Sequence, residues 1–257
     1  MNISFFVSLI VGLGSLIMGF LMEGGAIGKL VAPTAIIIVF GGLLGATTLS
    51  FPPSELKKVP KLFKILLIKR KLDKEQLIED IKNLSIKVRK EGLLSLESEL
   101  SSGNYDSFLV HGLRLITDGV ESETVRSSLE IRLDNMEYRH SKGIGIFEAA
   151  GGYAPTMGVI GTVMGLIQVL SDLSNPDTLG PKIATAFIAT FYGVGIANVV
   201  FLPIASRLKA LDEDEVLAKS MIIEGVILIY SGSNVSLVEE RLRGFLENAK
   251  EEREEGE

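Results

Sequence analysis

Four apolar runs without a charged residue dominate this chain, and a long charged segment separates them into two pairs. The first pair is Ile3–Met22 and Leu30–Leu49, and the second is Ala149–Ser171 and Ile183–Ser206. An α-helix needs about 20 residues to cross the hydrocarbon core of a bilayer. The pattern therefore predicts an all-α integral membrane protein with four transmembrane helices, a large helical loop between the second and third, and a helical C-terminal tail.

The same pattern divides the chain into four parts. We expect a transmembrane hairpin over residues 1–50, a cytoplasmic helical domain over 51–148, a second hairpin over 149–206 and a cytoplasmic tail over 207–257. Residues 54–71 combine an apolar face with lysines, which is typical of a basic amphipathic helix at a membrane lipid surface. A stripe at helical spacing runs into the third span and consists of Val125, Leu129, Leu133 and Met136.

Basic residues indicate how these spans are oriented. Of the 26 Lys and Arg residues, 17 lie in residues 50–148 and 7 in residues 207–257, whereas each hairpin turn contains one. By the positive-inside rule, the loop and the tail are cytoplasmic and both termini lie inside. A signal peptide is disfavoured for Ile3–Met22, because no Lys or Arg precedes this run.

Composition excludes several other classes of function. The net charge is −6 and no basic stripe is interleaved with aromatic residues, which disfavours nucleic-acid binding. The chain has no cysteine, and its two histidines, His111 and His140, lack the spacing of metal ligands. Phosphate-binding glycine loops and nucleophile elbows are also missing from the sequence. We therefore expect no enzyme activity, no metal and no cofactor.

Small residues follow one face of each span in the second pair. Pro155, Gly158, Thr162 and Gly165 share a face of the third span, and the fourth span has a comparable face with Ala186, Thr190, Gly193 and Ala197. Small faces let helices approach closely in lipid, so these positions, together with Gly161, are predicted to pack against other helices. The two threonines admit a second interpretation, in which their hydroxyls line an ion path.

Acidic, basic and histidine side chains are missing from all four predicted spans. A proton relay or a coupled transporter normally needs an ionisable group within the membrane. If this chain conducts ions, a partner must therefore supply the carboxylate.

Two stretches of the second pair resemble the MotA/PomA family of flagellar stator subunits. The first begins at Ala149 and contains the run Pro155-Thr-Met-Gly, and the second is Ala189-Thr-Phe-Tyr-Gly-Val-Gly-Ile-Ala-Asn. The similarity covers essentially the whole chain, including the order of spans, loop and tail. It implies a multi-pass protein of the bacterial inner membrane that converts ion-motive force into torque.

The resemblance also assigns roles to individual residues. Pro155 and Pro203 are similar to the prolines that the family ties to conformational switching. Thr162 and Thr190 are similar to channel threonines that face the ion-carrying aspartate of a single-span MotB-type partner, which has a peptidoglycan-binding domain. The implied assembly is a pentameric ring around two partner spans, and the transported ion is H⁺ or Na⁺.

In the loop, the stretch from Arg89 to Glu97 is similar to a family segment that carries an Arg and a Glu eight residues apart. In the family these residues contact charges on the rotor switch protein FliG. Eight residues is too far for the two side chains to pair along one helix. We therefore expect Arg89 and Glu97 to contact the rotor.

Two rival functions remain open. An ExbB/TolQ-type proton-channel energiser shares the signature around the third span, but its long loop usually follows the first span rather than the second. A non-conducting membrane scaffold would explain the small-residue faces alone. The nature of a neighbouring partner gene would separate these alternatives from a stator.

Overall fold

The computed structural model describes residues 3–67, 73–102, 105–171, 173 and 176–254, and all regular structure within them is helical. The all-α prediction is therefore confirmed for this part of the chain. The α-helices are α1 (Ile3–Met22), α2 (Ile27–Leu30), α3 (Pro33–Ile36), α4 (Gly42–Ser50), α5 (Pro53–Leu56), α6 (Val59–Leu67), α7 (Lys74–Glu91), α8 (Ser95–Ser102), α9 (Ser107–Thr117), α10 (Ser122–Leu170), α11 (Pro176–Ile196), α12 (Leu202–Tyr230) and α13 (Val235–Glu254). Two π-helical segments, Ile37–Gly41 and Ala197–Phe201, directly precede α4 and α12.

Three helical stretches are long and apolar enough to cross a membrane. They are Pro33–Ser50, Ser122–Leu170 and Thr178–Tyr230. The predicted first span is the 20-residue helix α1. Its apolar stretch Phe6–Met22 is shorter than the three stretches above. The second predicted span begins later than expected, because the chain leaves the helix at Val31 and re-enters it with Pro33 at the first turn.

The chain forms two compact units. The first unit comprises residues 1–70 and 140–210, and the second comprises residues 71–139 and 211–257. Both α10 and α12 contribute to each unit. Residues 68–71 of the predicted basic amphipathic helix lie outside the described residues, and the rest of that segment forms α5 and α6.

Packing in the first unit depends on small side chains. Ala189 of α11 is buried in one cluster with Ala32, Ala35 and Val39 from the region of α3. A second cluster unites Leu43 of α4, the α10 residues Ala150 and Ala154, and Ala197. Since alanine adds only one carbon to the helix surface, the helix axes can approach closely, as expected for helix association in lipid.

The second unit has an ordinary apolar core. The predicted stripe of α10, Val125, Leu129, Leu133 and Met136, is buried in this core together with side chains from α7, α8, α9, α12 and α13. The core thus combines one face from each of six helices, which is the usual arrangement of amphipathic helices in a globular domain.

A buried ion pair fixes the start of α9 to α12. Asp106 caps α9 by accepting a hydrogen bond from the backbone N–H of Phe108. The Lys219 ammonium donates to both Asp106 carboxylate oxygens at 2.8 and 2.9 Å and lies 5.5 Å from the centroid of the Phe108 ring. Burial alone would raise the pKa of Asp106, but the bonds from Lys219 and from the backbone outweigh burial and lower it.

We predict that Lys219→Met destabilises the second unit by about 2 kcal/mol. The value is below the usual cost of breaking a fully buried pair, because the Asp106 side chain is partly exposed. The chain has no tryptophan, so thermal unfolding should be followed by circular dichroism in detergent.

The control is Arg243→Met in the same unit, which removes more exposed ion pairs with Glu75 and Glu239 and should change the transition little. Because the folded pKa of Asp106 is lowered, its contribution is complete above the ordinary Asp pKa of about 3.9 and is lost as the pH falls through the folded value. The destabilisation by Lys219→Met should therefore shrink as the pH falls below about 4. A pH-independent difference would contradict this assignment.

Candidate functional site: a hydroxyl pair between two apolar helices

Helices α10 and α11 touch along a seam of small residues. A Cβ atom placed on Gly158 would lie 2.8 Å from the carbonyl oxygen of Ala189 and 3.0 Å from the Cα of Thr190. A Cβ on Gly193 would meet the carbonyl oxygen of Ala154 and lie 3.0 Å from the Gly158 Cα. These obstacles are backbone atoms, which cannot rotate away, so both positions require glycine at this helix separation.

The other residues predicted to pack also lie where helices meet. A Cβ on Gly161 or on Gly165 would approach the Cβ of Ala189 or of Ala186, respectively, to 2.6 Å. Ala197 is fully buried within the cluster that includes Leu43. The seam therefore extends over more than two turns of α10 and continues beyond α11.

The seam brings the two predicted ion-path threonines together. The hydroxyl oxygens of Thr162 and Thr190 are 2.5 Å apart. The Thr162 hydroxyl also lies 3.0 Å from the carbonyl oxygen of Ala186 and 3.2 Å from that of Gly158. The Thr190 hydroxyl lies 3.4 Å from the Gly158 carbonyl oxygen. Four oxygen atoms thus converge between two apolar helices.

Counting protons shows what this cluster can bind. Each hydroxyl has one proton to donate and two lone pairs to accept. The shortest contacts are satisfied when Thr190 donates to Thr162 and Thr162 donates to the Ala186 carbonyl. Both lone pairs of the Thr190 oxygen are then available to a water molecule, a proton donor or a cation. Hydroxyl and carbonyl oxygens are also the ligands that hard cations prefer.

The two hydroxyls carry no charge and have no charged neighbour in the predicted spans. Across the described residues, no group of three histidine or acidic side chains could hold a metal ion. A charged ligand that moves through the cluster therefore needs a counter-charge from outside this chain.

The structure does not bring the two predicted prolines to the hydroxyl pair. Pro155 lies inside α10, seven residues or about 10 Å along the axis before Thr162. Pro203 is the second residue of α12 and closely follows the π-helical segment Ala197–Phe201. Each proline lacks an N–H group and so interrupts the hydrogen-bond ladder of its helix, which makes both positions local weak points.

Arg89 and Glu97 lie in the second unit, apart from the hydroxyl pair. Arg89 is in the last turn of α7 and Glu97 is in the first turn of α8, and both are exposed. The two helices are separated by a turn that begins at Gly92, whose φ of 81° is readily adopted only by glycine. The Arg–Glu motif is therefore a helical corner rather than one continuous helix.

A polar network holds this corner in place. The Glu99 carboxylate of α8 accepts hydrogen bonds from the Lys87 ammonium of α7 and, at 2.9 Å, from the Tyr105 hydroxyl. The hydrogen bond from Lys87 is the main cause of the lowered pKa of Glu99. Burial and the bond to Glu99 raise the pKa of Tyr105 to about 12. The network therefore stays intact at neutral pH and joins α8 to α7.

Two tyrosines that sequence reasoning did not single out connect the two hairpins. The Tyr192 hydroxyl donates to the carbonyl oxygen of Leu30, which lies where the helix breaks before Pro33. The Tyr153 and Ser50 hydroxyls are 2.9 Å apart. A tyrosine within an apolar run was the available signal, because a buried phenol needs a hydrogen-bond partner.

The fold and this site define a class of protein: a helical membrane protein with an uncharged, oxygen-lined seam suited to ion movement. Models of two families match the chain. The MotA/TolQ/ExbB proton channel family matches residues 101–221, and the Motility protein A N-terminal family matches residues 6–92. The chain belongs to the MotA/PomA family of flagellar stator channel proteins.

Individual relatives and a solved structure agree with this family. Motility protein A of Bacillus subtilis is 37% identical, with 93% of this chain and 89% of that one covered. The uncharacterized protein YtxD of the same organism is 42% identical, with 82% and 78% covered. The flagellar MotAB stator complex from Bacillus subtilis contains a chain with a TM-score of 0.86 and 36% identity, with 93% and 94% covered.

We predict that Gly158→Ala forces α10 and α11 apart and destabilises the first unit by about 1 to 3 kcal/mol, the usual cost of overpacking. Thermal unfolding in detergent measures this effect. Gly152→Ala in the same helix is the matched control, because a Cβ there meets nothing within 4 Å. Equal transitions for the two variants would show that the seam does not limit the helix separation.

Proposed function

We propose that this chain is the ring-forming, ion-conducting subunit of a flagellar stator, and that it converts ion-motive force into torque on the rotor. The observation that carries this proposal is the Thr162–Thr190 hydroxyl pair, which lies within a seam free of charged side chains. Membership of the MotA/PomA family and the match to a MotAB stator complex support it.

Ion movement in this proposal needs a partner. A single-span MotB-type protein with a peptidoglycan-binding domain contributes an aspartate, and the threonine oxygens exchange the ion with that carboxylate. The open lone pairs of Thr190 make it the first contact on this chain. The transported ion is H⁺ or Na⁺, since oxygen ligands of this kind serve either.

The proposed topology follows the apolar runs and the distribution of basic residues. α1, the stretch Pro33–Ser50, the second half of α10 and the stretch from α11 into α12 form four spans of the bacterial inner membrane. Both termini and the second unit are cytoplasmic by the positive-inside rule. Five copies surround the partner's two spans, as the resemblance implies, and the lysines of α6 contact lipid headgroups.

Torque transfer is assigned to the corner between α7 and α8. Arg89 and Glu97 are exposed side chains of opposite charge, and the Lys87–Glu99–Tyr105 network supports the corner that presents them. They would contact complementary charges on FliG. Pro155 and Pro203 are the proposed flexible points when the ring steps.

The alternatives are an ExbB/TolQ-type energiser and a non-conducting scaffold. The energiser shares the family model that matches residues 101–221, but the Motility protein A model that matches residues 6–92 favours a stator. A scaffold would account for the glycine seam but gives no reason for a hydroxyl pair within it.

We predict that Thr190→Val lowers stator torque without disturbing assembly, because valine keeps the shape and removes the hydroxyl. Loss of one ligand worth about 1.4 kcal/mol slows ion transfer about tenfold. The measurement is the rotation speed of tethered cells. The host strain lacks this gene and any second stator genes, and a plasmid supplies either the wild-type gene or the variant.

Two variants in the same helix control this experiment. Thr190→Ser keeps the hydroxyl and should retain most of the torque, whereas Thr185→Val removes an exposed hydroxyl bonded to the Pro181 carbonyl and should have no effect. Normal swimming of the deletion strain itself would reject the stator function. Unchanged rotation with Thr190→Val at low ion-motive force would reject only the role of its hydroxyl.

We also predict that Arg89→Glu combined with Glu97→Lys impairs rotation while the protein still inserts into the membrane. The reversal turns attractive rotor contacts into repulsive ones, which costs several kcal/mol. The matched control is Glu240→Arg with Arg241→Glu, which exchanges two exposed opposite charges on α13 in the same unit. Full motility of the Arg89 and Glu97 double variant would refute the rotor contact.

A further inference from the structure

The part of α10 that lies in the second unit carries two exposed stripes of opposite charge. The acidic flank consists of four exposed side chains, Glu123, Glu130, Asp134 and Glu137. The basic flank contains two exposed arginines together with polar and apolar neighbours, Ser128, Ile131, Arg132, Asn135, Tyr138 and Arg139. One helix thus presents both charges to its surroundings.

Helix geometry places the two flanks on opposite sides of the core-facing stripe. Successive residues of an α-helix are rotated by about 100°. Measured from the buried residue Leu129, the basic flank is centred about 110° to one side and the acidic flank about 115° to the other. Neither flank can therefore neutralise the other within the same chain.

Most of these charges have no partner within the part of the chain that the structure describes. Glu130 has a long contact of 3.9 Å with Arg126. No ion pair involves Arg132, Arg139, Asp134 or Glu137 among the described residues. Arg126 lies beside the acidic flank, but its shortest ion pair is with Glu224 of α12, at 3.2 Å. Exposed charges of this kind are common singly, but two separate stripes of opposite charge on one helix indicate an interaction surface.

The basic flank also forms a groove with apolar contacts. Together with His111 of α9, it lines an open groove with a volume of about 520 Å³. The side chain of Ile131, which is large and apolar, is 59% exposed there. Burial and the nearby positive charges of Arg132 and Arg114 lower the pKa of His111, as expected for a groove with a positive potential.

We propose that the basic flank of α10 binds the acidic flank of α10 in a second copy of this chain. The contact is heterologous, since two different surfaces meet, and repeating it by a rotation that closes yields a ring. The inference rests on the proposed function for the ring itself and adds the surfaces that join neighbouring copies in the second unit.

The levels of the charges along α10 fit a rotation between copies. Arg132 lies about 3 Å along the helix axis from both Glu130 and Asp134, and Arg139 lies about 3 Å from Glu137. Rotation about an axis parallel to α10 brings each residue to the same level in the next copy. Each arginine would therefore face a carboxylate. Lipid headgroups or another acidic ligand would use the basic flank alone and leave the acidic flank without a role.

Crosslinking tests the contact in membranes. The chain contains no native cysteine, so Glu130→Cys on the acidic flank and Ser128→Cys on the basic flank give a pair whose thiols lie on opposite sides of α10. With a short bis-maleimide, the full-length double variant, expressed with its partner, should yield a ladder of oligomers. Each single variant should yield at most dimers. Equal products from the single and double variants would overturn the proposal.

Charge reversal tests the same contact independently. In the double-cysteine background, Arg132→Glu with Arg139→Glu should reduce oligomers larger than dimers about tenfold or more, because like charges would then face each other. Adding Asp134→Arg and Glu137→Arg places an arginine opposite each new glutamate and should restore the ladder. Lys90→Glu with Arg241→Glu makes the same charge change elsewhere in the second unit and should leave the ladder intact.

The outcomes separate this contact from the stator function. Loss of the ladder in the arginine variant with recovery in the fourfold variant supports the contact. Failure of the fourfold variant to recover, with a normal circular dichroism spectrum, overturns it. A ladder that the arginine reversal leaves unchanged also overturns the contact. The ring would then be joined by other surfaces. The stator function is tested separately by the rotation assays. An alternative result is a protein that yields no ladder but binds anionic vesicles in a salt-sensitive manner that depends on Arg132. That result would overturn the contact between copies and would indicate that the basic flank binds lipid headgroups.

Discussion

The backbone contact between α10 and α11 at Gly158 and Gly193 is the constraint on which the hydroxyl site depends. Side chains of threonine are short, so Thr162 and Thr190 can approach to 2.5 Å only if the two helix axes are very close. Any Cβ atom at Gly158 would press against the backbone of the opposite helix. The glycines therefore do more than stabilise the pair of helices, because they set the distance between the oxygen atoms that an ion would use.

The apolar surroundings give this oxygen cluster its chemical character. Within a bilayer, a polar group without a partner costs several kcal/mol, so each threonine hydroxyl is expected to have a hydrogen-bond acceptor. The pair meets this requirement when Thr190 donates to Thr162 and Thr162 donates to the Ala186 carbonyl, and acceptor capacity then remains at Thr190. A charged residue at the same place would hold an ion tightly, whereas neutral oxygens can bind and release it. In the proposed function, neutral ligands here and a carboxylate on a partner divide binding and charge compensation between two chains.

Sequence patterns predicted the elements of this fold well where the signal was local. The predicted run Ile3–Met22 coincides with α1, and the buried stripe of α10 follows from helical spacing alone. The start of the last helix shows where such local signals are ambiguous. Ser236 and Glu239 have the spacing of a capping box, but the Asn234 side chain accepts a hydrogen bond from the backbone N–H of Ser236, and the helix begins at Val235.

Long-range contacts were beyond such patterns. Nothing local in the sequence pairs Thr162 with Ala186, Tyr192 with Leu30, or Lys219 with Asp106, because each contact depends on how separate helices pack. The small-residue faces indicated only that some helix would approach. The expectation that both threonines face the aspartate of a partner protein came from the resemblance to stator proteins.

Several surfaces of this chain make physical sense only in an assembly. The seam carries oxygen ligands but no counter-charge, and the acidic and basic flanks of α10 cannot meet within one helix. The large apolar side chain of Ile131 is exposed beside the charged residues of the basic flank, where a second copy would cover it. A subunit that completed all of these contacts internally would have no need of neighbours. The incomplete surfaces are therefore consistent with a function that belongs to a ring and its partner rather than to one chain.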